Sequence, residues 1–162
     1  MQWSSDLIGY DALTSYGSPS YHAQQMFSTL HGDEILATDS QNIPTREWQP
    51  RGPRGGGTAP SPRQLRQVFF DATRDRQSGM IYLKVVNVGG TTQRINIQIN
   101  GAPQIEPTAE AVVLAASALD GTNYLEQPQE IVPRTEKAEN LSANCTREFP
   151  AYSVTVLKLR AK

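Results

Sequence analysis

A single strong helix pattern, followed only by strand patterns, limits the folds that this chain can adopt. Ser18 suits the N-cap of the helix and Pro19 its first position, and Gly32 could be the left-handed residue that ends many helices. The helix is predicted over residues 18–31. Four apolar residues follow the i, i+3, i+4, i+7 spacing and share one face: Ala23, Met26, Phe27 and Leu30. Such a stripe needs a surface to cover.

Short strand patterns separated by turn residues occupy much of the chain after the helix. Residues 94–100 (RINIQIN) alternate between apolar and polar, which is typical of a half-buried strand. Residues 80–88 and 152–160 are apolar on both faces, so a central strand covered on both sides or a β-bulge is expected there. Further strands are predicted at 34–38, 67–73 and 109–116. Because no helices alternate with them, the chain is predicted to be mainly β: a jelly-roll-like β-sandwich preceded by one N-terminal helix.

Two stretches lack a strong pattern. Residues 117–150 are predicted to be mostly turns and irregular structure, and a flexible Gly/Pro-rich loop is predicted at about 49–64, around RGPRGGGTAPSPR. Trp48 accompanies five arginines in this region: Arg46, Arg51, Arg54, Arg63 and Arg66. Since no nucleic-acid-binding motif accompanies them, a solvated loop is the favoured interpretation.

Composition narrows the possible partners. The net charge is -1, so no overall field attracts nucleic acid or an anionic membrane, and no apolar run is long enough to span a bilayer. The N-terminus lacks the features of a signal peptide, and a secreted or a cytoplasmic parent protein both remain open. Cys145 is the single cysteine. Two glycosylation sequons begin at Asn140 and Asn144, and whether they are used is left open.

The sequence offers no recognisable catalytic or metal-binding motif. The neighbouring carboxylates Asp33-Glu34, and Asp71 with Asp75, follow a helix end and flank a turn, which are common structural placements. We therefore predict no catalytic residue, no metal site and no cofactor in this chain.

Four segments in order resemble the C-terminal region of α-L-arabinofuranosidases of glycoside hydrolase family 51. They are WSSDLIGYD with SYGSPSYHAQQMFSTLHGDEIL, then GMIYLKVVNVGG, ALDGTNYLEQPQEIVP and FPAYSVTVLKL. The resemblance implies that residues 1–32 are the end of a (β/α)8 barrel, with its last helix, and that residues 33–162 are a C-terminal β-sandwich domain. The family's two catalytic glutamates precede this region, so none is assigned here.

The resemblance also implies roles for particular residues. Trp3 and Asp6 would come nearest to the active-site mouth of the barrel and are candidates for substrate binding, with packing of Trp3 against the barrel wall as the favoured alternative. The stripe of Ala23, Met26, Phe27 and Leu30 would face the barrel. Without a barrel it is expected to fold onto the sandwich, to pair with another copy of the chain, or to stay exposed. The resemblance further implies that the family's sandwich domain includes strands from the N-terminus of the enzyme. An isolated copy is therefore expected to have an open sheet edge.

Two functions of different classes remain. In the first, the chain is an accessory region of an enzyme that removes terminal α-L-arabinofuranosyl residues from arabinan or arabinoxylan, and the chain alone is inactive. In the second, it is a free-standing carbohydrate-binding or protein-interaction module with an arabinose-containing polysaccharide as one partner. Sugar-binding sandwiches present exposed aromatic side chains, and the candidates here are Tyr82, Tyr124, Phe149 and Tyr152, beside Phe69 and Phe70.

Overall fold

A computed structural model describes residues 7–50, 60–102 and 104–161 of the chain. One helix and twelve strands are found there. Their bounds are β1 Ile8–Tyr10, β2 Ser15–Gly17, α1 Pro19–Thr29, β3 Glu34–Ile35, β4 Thr45–Trp48, β5 Arg63–Arg66, β6 Val68–Arg74, β7 Met80–Asn87, β8 Gln93–Gln98, β9 Thr108–Ala115, β10 Arg134–Glu139, β11 Asn144–Phe149 and β12 Ser153–Arg160. The prediction of a mainly β protein with one N-terminal helix is confirmed. Within the described ranges, no helix is long and apolar enough to cross a membrane.

A six-stranded antiparallel sheet forms the body of the molecule, in the order β10-β9-β12-β7-β6-β3. Strands β8 and β11 pair separately, and Ile95, Ile97 and Cys145 from them pack against the main core. The buried members of that core come from both layers and their connections: Val68, Ile81, Val85, Ile105, Ala111, Ala138, Leu141, Phe149, Leu157 and Leu159. Two layers around one apolar core are the arrangement of a β-sandwich.

The central strand β12 is buried on both faces. Leu157 and Leu159 belong to the core between the two layers, whereas Val154 and Val156 point to the outer face of the large sheet. The pairing of β12 with β7 runs without interruption from Ser153 to Arg160. Of the two explanations that the sequence left open, coverage on both sides is therefore correct, and no bulge is needed.

The helix α1 covers part of that outer face. The hydroxyl of Ser18 accepts a hydrogen bond from the backbone N–H of Tyr21 at 3.2 Å, which confirms the predicted N-cap. The helix ends slightly earlier than predicted, with Leu30 as its C-cap and the Leu30 N–H bonded to the Met26 carbonyl. Gly32 does not take the left-handed conformation that was expected of it, because Leu30 ends the helix and the chain then runs directly towards β3.

Strands β10 and β11 lie within residues 117–150, where mainly irregular structure was expected, and β5 begins inside the loop predicted at about 49–64. Residues 51–59 of that predicted loop lie outside the described residues. Strand β10 is at one edge of the sheet, and Ala138 is its single buried residue. A polar edge strand of this kind shows little alternation of apolar and polar residues, because it is stabilised by pairing with β9 rather than by burial of one face. The prediction of irregular structure was wrong at these strands.

Candidate interaction surface

An open groove runs between strand β1 and the exposed side of helix α1. Its apolar wall includes Leu7, Ile8 and Phe27, whose exposed fractions are 38%, 48% and 36%. The full lining is Leu7, Ile8, Tyr21, Gln24, Gln25, Phe27 and Ser28. We call these seven residues the α1 groove. An apolar surface of this kind next to polar amides is typical of a protein-contact surface.

The opposite side of α1 packs against the outer face of the large sheet. Met26 is 3% exposed and belongs to a second apolar cluster with Val112, Leu114, Ile131 and Val156. Ala23 and Leu30 pack against the same cluster and are partly buried. Folding onto the sandwich, one of the three outcomes expected for the stripe, is thus what the structure shows for these three side chains. The sheet, not a barrel, covers them here, whereas Phe27 lies at the edge of the contact.

Phe27 is held by a buried cation. Lys84 of β7 is 4% exposed, and its Nζ lies 4.9 Å from the centre of the Phe27 ring and 3.9 Å from Oδ2 of Asp71. Burying an ammonium group is unfavourable unless opposite charge or a ring face compensates it. The carboxylate and the ring supply that compensation together, so Lys84 fastens the groove side of α1 to the sheet.

The hairpin of β1 and β2 is fixed by a buried amide. Asn123 is fully buried, and its Nδ2 donates to the carbonyls of Gly17 and Ile131, both at 2.9 Å. Its Oδ1 accepts from the Ile131 N–H at 2.8 Å. Ser18 N–H also donates to the Leu7 carbonyl at 2.8 Å. Both walls of the α1 groove are therefore anchored to the sandwich by specific contacts.

Three of the four carboxylates considered at first have structural partners: Asp33, Asp71 and Asp75. Asp33 Oδ1 accepts from the Arg76 N–H at 3.0 Å, and Asp71 pairs with Lys84. Asp75 Oδ1 accepts from the backbone N–H and the hydroxyl of Ser78, and the backbone bond is the main reason why the pKa of Asp75 lies below its ordinary value. A lowered pKa is unsuited to a general acid at neutral pH. In the described part of the chain, no group of three or more His, Cys, Asp or Glu is placed to hold a metal ion.

Comparison with known proteins agrees with this architecture. The family model of the α-L-arabinofuranosidase C-terminal domain matches residues 2–153. The chain belongs to this family. A probable α-L-arabinofuranosidase A from Aspergillus niger is 28% identical over 158 residues, which are 96% of this chain and 21% of the relative. An extracellular exo-α-L-arabinofuranosidase from Streptomyces chartreusis is 34% identical over 118 residues, 72% of this chain and 13% of the relative.

Solved structures agree as well. An arabinose-bound family 51 α-L-arabinofuranosidase superposes with a TM-score of 0.77 and 27% identity, over 99% of this chain and 22% of that one. The thermostable family 51 enzyme from Thermotoga petrophila superposes with a TM-score of 0.77 at 15% identity, over 93% of this chain and 31% of that one. This match supports the fold. The chain spans only about a fifth of the length of the curated α-L-arabinofuranosidases A that it matches. In these relatives the domain is part of a much longer enzyme.

The residues predicted for this arabinofuranosidase domain have different outcomes. Trp3 and Asp6 lie outside the described residues, and their role in substrate binding stays a prediction. Asn140 is exposed in the connection from β10 to β11 with a φ of 58°, and Asn144 is exposed at the start of β11.

Sequence reasoning missed Lys84 and Asn123. A signal for Lys84 was available, because a lysine inside the apolar strand MIYLKVVNV is unusual and calls for a partner. Asn123 gave no comparable signal, since its partner Gly17 lies 106 positions away.

Proposed function

We propose that this chain is the accessory C-terminal β-sandwich of an α-L-arabinofuranosidase, and that its α1 groove is the surface on which the catalytic barrel docks. The whole enzyme would remove terminal α-L-arabinofuranosyl residues from arabinan or arabinoxylan by the retaining route, with two carboxyl groups supplied by the barrel. The observation that carries this proposal is the anchored apolar groove: α1 is fixed to the sandwich on one side and open on the other.

The partners of the carboxylates support a further part of the proposal, that this chain alone has no hydrolase activity. A retaining pair needs two carboxyl groups about 5–5.5 Å apart around a bound sugar, one of them with a raised pKa. Asp33 and Asp75 instead accept hydrogen bonds from the backbone N–H groups of Arg76 and Ser78 in the turn after β6, and Asp71 pairs with Lys84. The catalytic pair is thus assigned to the part of the enzyme that precedes this domain.

A free-standing carbohydrate-binding module is less well supported. Of the six aromatic residues first considered, Phe149 is 1% exposed, and Phe70, Tyr82 and Tyr152 are partly buried. Tyr124 is 50% exposed in the connection between β9 and β10, and Phe69 is 51% exposed on β6. Of the six, these two alone are exposed, and they lie on different elements, so stacking of several sugars along a row of rings is not favoured.

The purified chain is expected to show no hydrolysis of a chromogenic α-L-arabinofuranoside, even at high protein concentration. An intact family 51 enzyme in the same assay is the positive control. Turnover that persists through stringent purification and is lost in Asp71→Asn would contradict the assignment of the catalytic pair to another region.

The isolated chain is expected to self-associate through the α1 groove, because an apolar docking surface without its partner tends to find another copy. Ile8→Asp should weaken the association about tenfold, since it places a charge in the groove wall. Ile35→Asp is the matched control, because Ile35 is 85% exposed on β3 and does not line the groove. Sedimentation velocity over a concentration series makes the measurement. A monomer at all concentrations, or equal effects of both variants, would contradict the docking role.

A further inference from the structure

Strands β4 and β5 form a two-stranded arm that lies outside the sandwich sheets. Its register pairs Thr45 with Arg66 and Trp48 with Arg63, and all eight of its residues are exposed. We call residues 45–48 and 63–66 the arm. A side-chain hydrogen bond, from Gln49 Nε2 to the Pro60 carbonyl at 3.0 Å, links the two chain segments just beyond Trp48. The arm is thus a regular hairpin where the sequence predicted the borders of a loop.

The base of the arm is fixed to the sandwich through Gln67. The Gln67 N–H donates to the Pro44 carbonyl at 2.8 Å, and its Nε2 reaches the Thr45 carbonyl at 3.3 Å. The Gln67 carbonyl in turn accepts from the Val88 N–H at 2.9 Å. These bonds tie both strands of the arm to the end of β7, so its side chains are presented on an ordered support.

The register separates the charges of the arm by face. Side chains that are directly opposite share a face, and side chains alternate between faces along each strand. Arg46 therefore shares one face with Trp48, and their cross-strand partners Leu65 and Arg63 lie beside them. The single acid, Glu47, is on the other face with Thr45, Gln64 and Arg66. One face is thus aromatic and doubly cationic, and it has no acid in the described part of the arm.

We propose that this face, formed by Arg46, Trp48, Arg63 and Leu65, binds a polymer of uronic acid. The proposal rests on the proposed function, because it assumes that the parent enzyme works on sugar polymers. The face of the indole, 42% exposed as a residue, would stack on the C–H surface of a sugar ring. The guanidinium groups of Arg63, directly across from Trp48, and of Arg46, two residues along its strand, would pair with the carboxylates of the same and the next sugar, for which their planar donor geometry is well matched.

A uronate polymer fits this face better than nucleic acid does. Binding to a nucleic acid backbone usually relies on several phosphate contacts and on a positive field, whereas this chain has a net charge of -1. Trp48 is the one aromatic residue of the arm, so it offers stacking for one ring and not for a series of bases. Neutral arabinan would leave both arginines without an anion. The combination of one ring and two cations is complementary to an acidic sugar chain.

The test is binding of the full 162-residue chain to polygalacturonate, compared with linear arabinan and a single-stranded oligonucleotide, by affinity electrophoresis at fixed salt. We expect retardation by polygalacturonate only. Trp48→Ala should weaken it about fivefold and Arg63→Gln about threefold, as exposed stacking and ion pairs of ordinary strength would. Arg66→Gln is the matched control, because it removes the same charge from the same strand on the opposite face. All three variants change exposed residues, so their melting temperatures should stay close to that of the parent chain.

Each outcome bears on the proposal separately from the enzyme assignment. If Arg63→Gln and Arg66→Gln weakened polygalacturonate binding equally, the proposal would be overturned. Binding would then depend on the net charge of the chain and not on the face that carries Trp48. Equal or tighter retardation by arabinan or by the oligonucleotide would also overturn it, as would no retardation by polygalacturonate. None of these results would change the hydrolysis and self-association expected of the domain, which are the measures of the proposed function.

Discussion

Asn87→Ala is expected to lower the free energy of unfolding by about 4 kcal/mol, because it leaves several buried backbone groups without partners. Asn87 is 1% exposed at the end of β7. Its Nδ2, which carries two hydrogens, lies within hydrogen-bond distance of three carbonyls, those of Pro150 at 2.7 Å, Thr91 at 2.9 Å and Phe149 at 3.2 Å, and its Oδ1 accepts from the Gly89 N–H at 2.9 Å. One amide therefore joins the β7–β8 turn to the β11–β12 turn and holds the two layers of the sandwich together at one end.

Urea denaturation of the variant and of the parent chain makes this measurement. Asn96→Ala is the matched control, since Asn96 is exposed on β8 and should change stability by less than about 0.5 kcal/mol. A loss below about 1 kcal/mol for Asn87→Ala would mean that water replaces the amide, and that the junction does not depend on it.

Gly32→Ala is expected to destabilise the chain by about 3 kcal/mol, because an added Cβ would overlap backbone atoms. Gly32 lies directly against the Arg74 carbonyl and the Asp75 nitrogen at the end of β6. Its N–H donates to Thr73 Oγ1 at 2.9 Å, and the next residue, Asp33, accepts from the Arg76 N–H. A methyl group would push the end of α1 away from the sheet and break both bonds.

Thermal unfolding and hydrogen exchange of the α1 amides would test this expectation. Gly79→Ala is the control, because Gly79 has open space around it and a φ of 71°. That substitution should cost about 1 kcal/mol through backbone strain alone and leave α1 protected. If Gly32→Ala were no worse than Gly79→Ala, the close approach of the helix end to the sheet would not contribute to stability. This contact explains why a glycine and an aspartate link the helix to the first strand of the sandwich.

The sequence by itself determined the elements whose signals are local. The hydroxyl of Ser18 and the ring of Pro19 mark a helix start at the position where it occurs. The alternation in residues 94–100 and the two-sided apolar pattern of residues 152–160 follow from which faces are buried, so β8 and β12 could be predicted. The same patterns, together with four segments in family order, indicated the sandwich and the enzyme family.

Only the tertiary structure decided which distant residues meet. Asn87 bonds to Phe149, 62 positions away, and Asn123 to Gly17, 106 positions away. The cation of Lys84 lies under a helix that is far from it in the chain. The cross-strand register likewise places Trp48 beside Arg63 and Glu47 on the other face of the arm. The segments on the two sides of the Gly/Pro-rich stretch show no strand pattern in the sequence, so this pairing could not be predicted. Local periodicity indicates which face of a segment is buried. The hydrogen-bond partner of a side chain, the register of two strands and the residues that share a face are set only by tertiary folding.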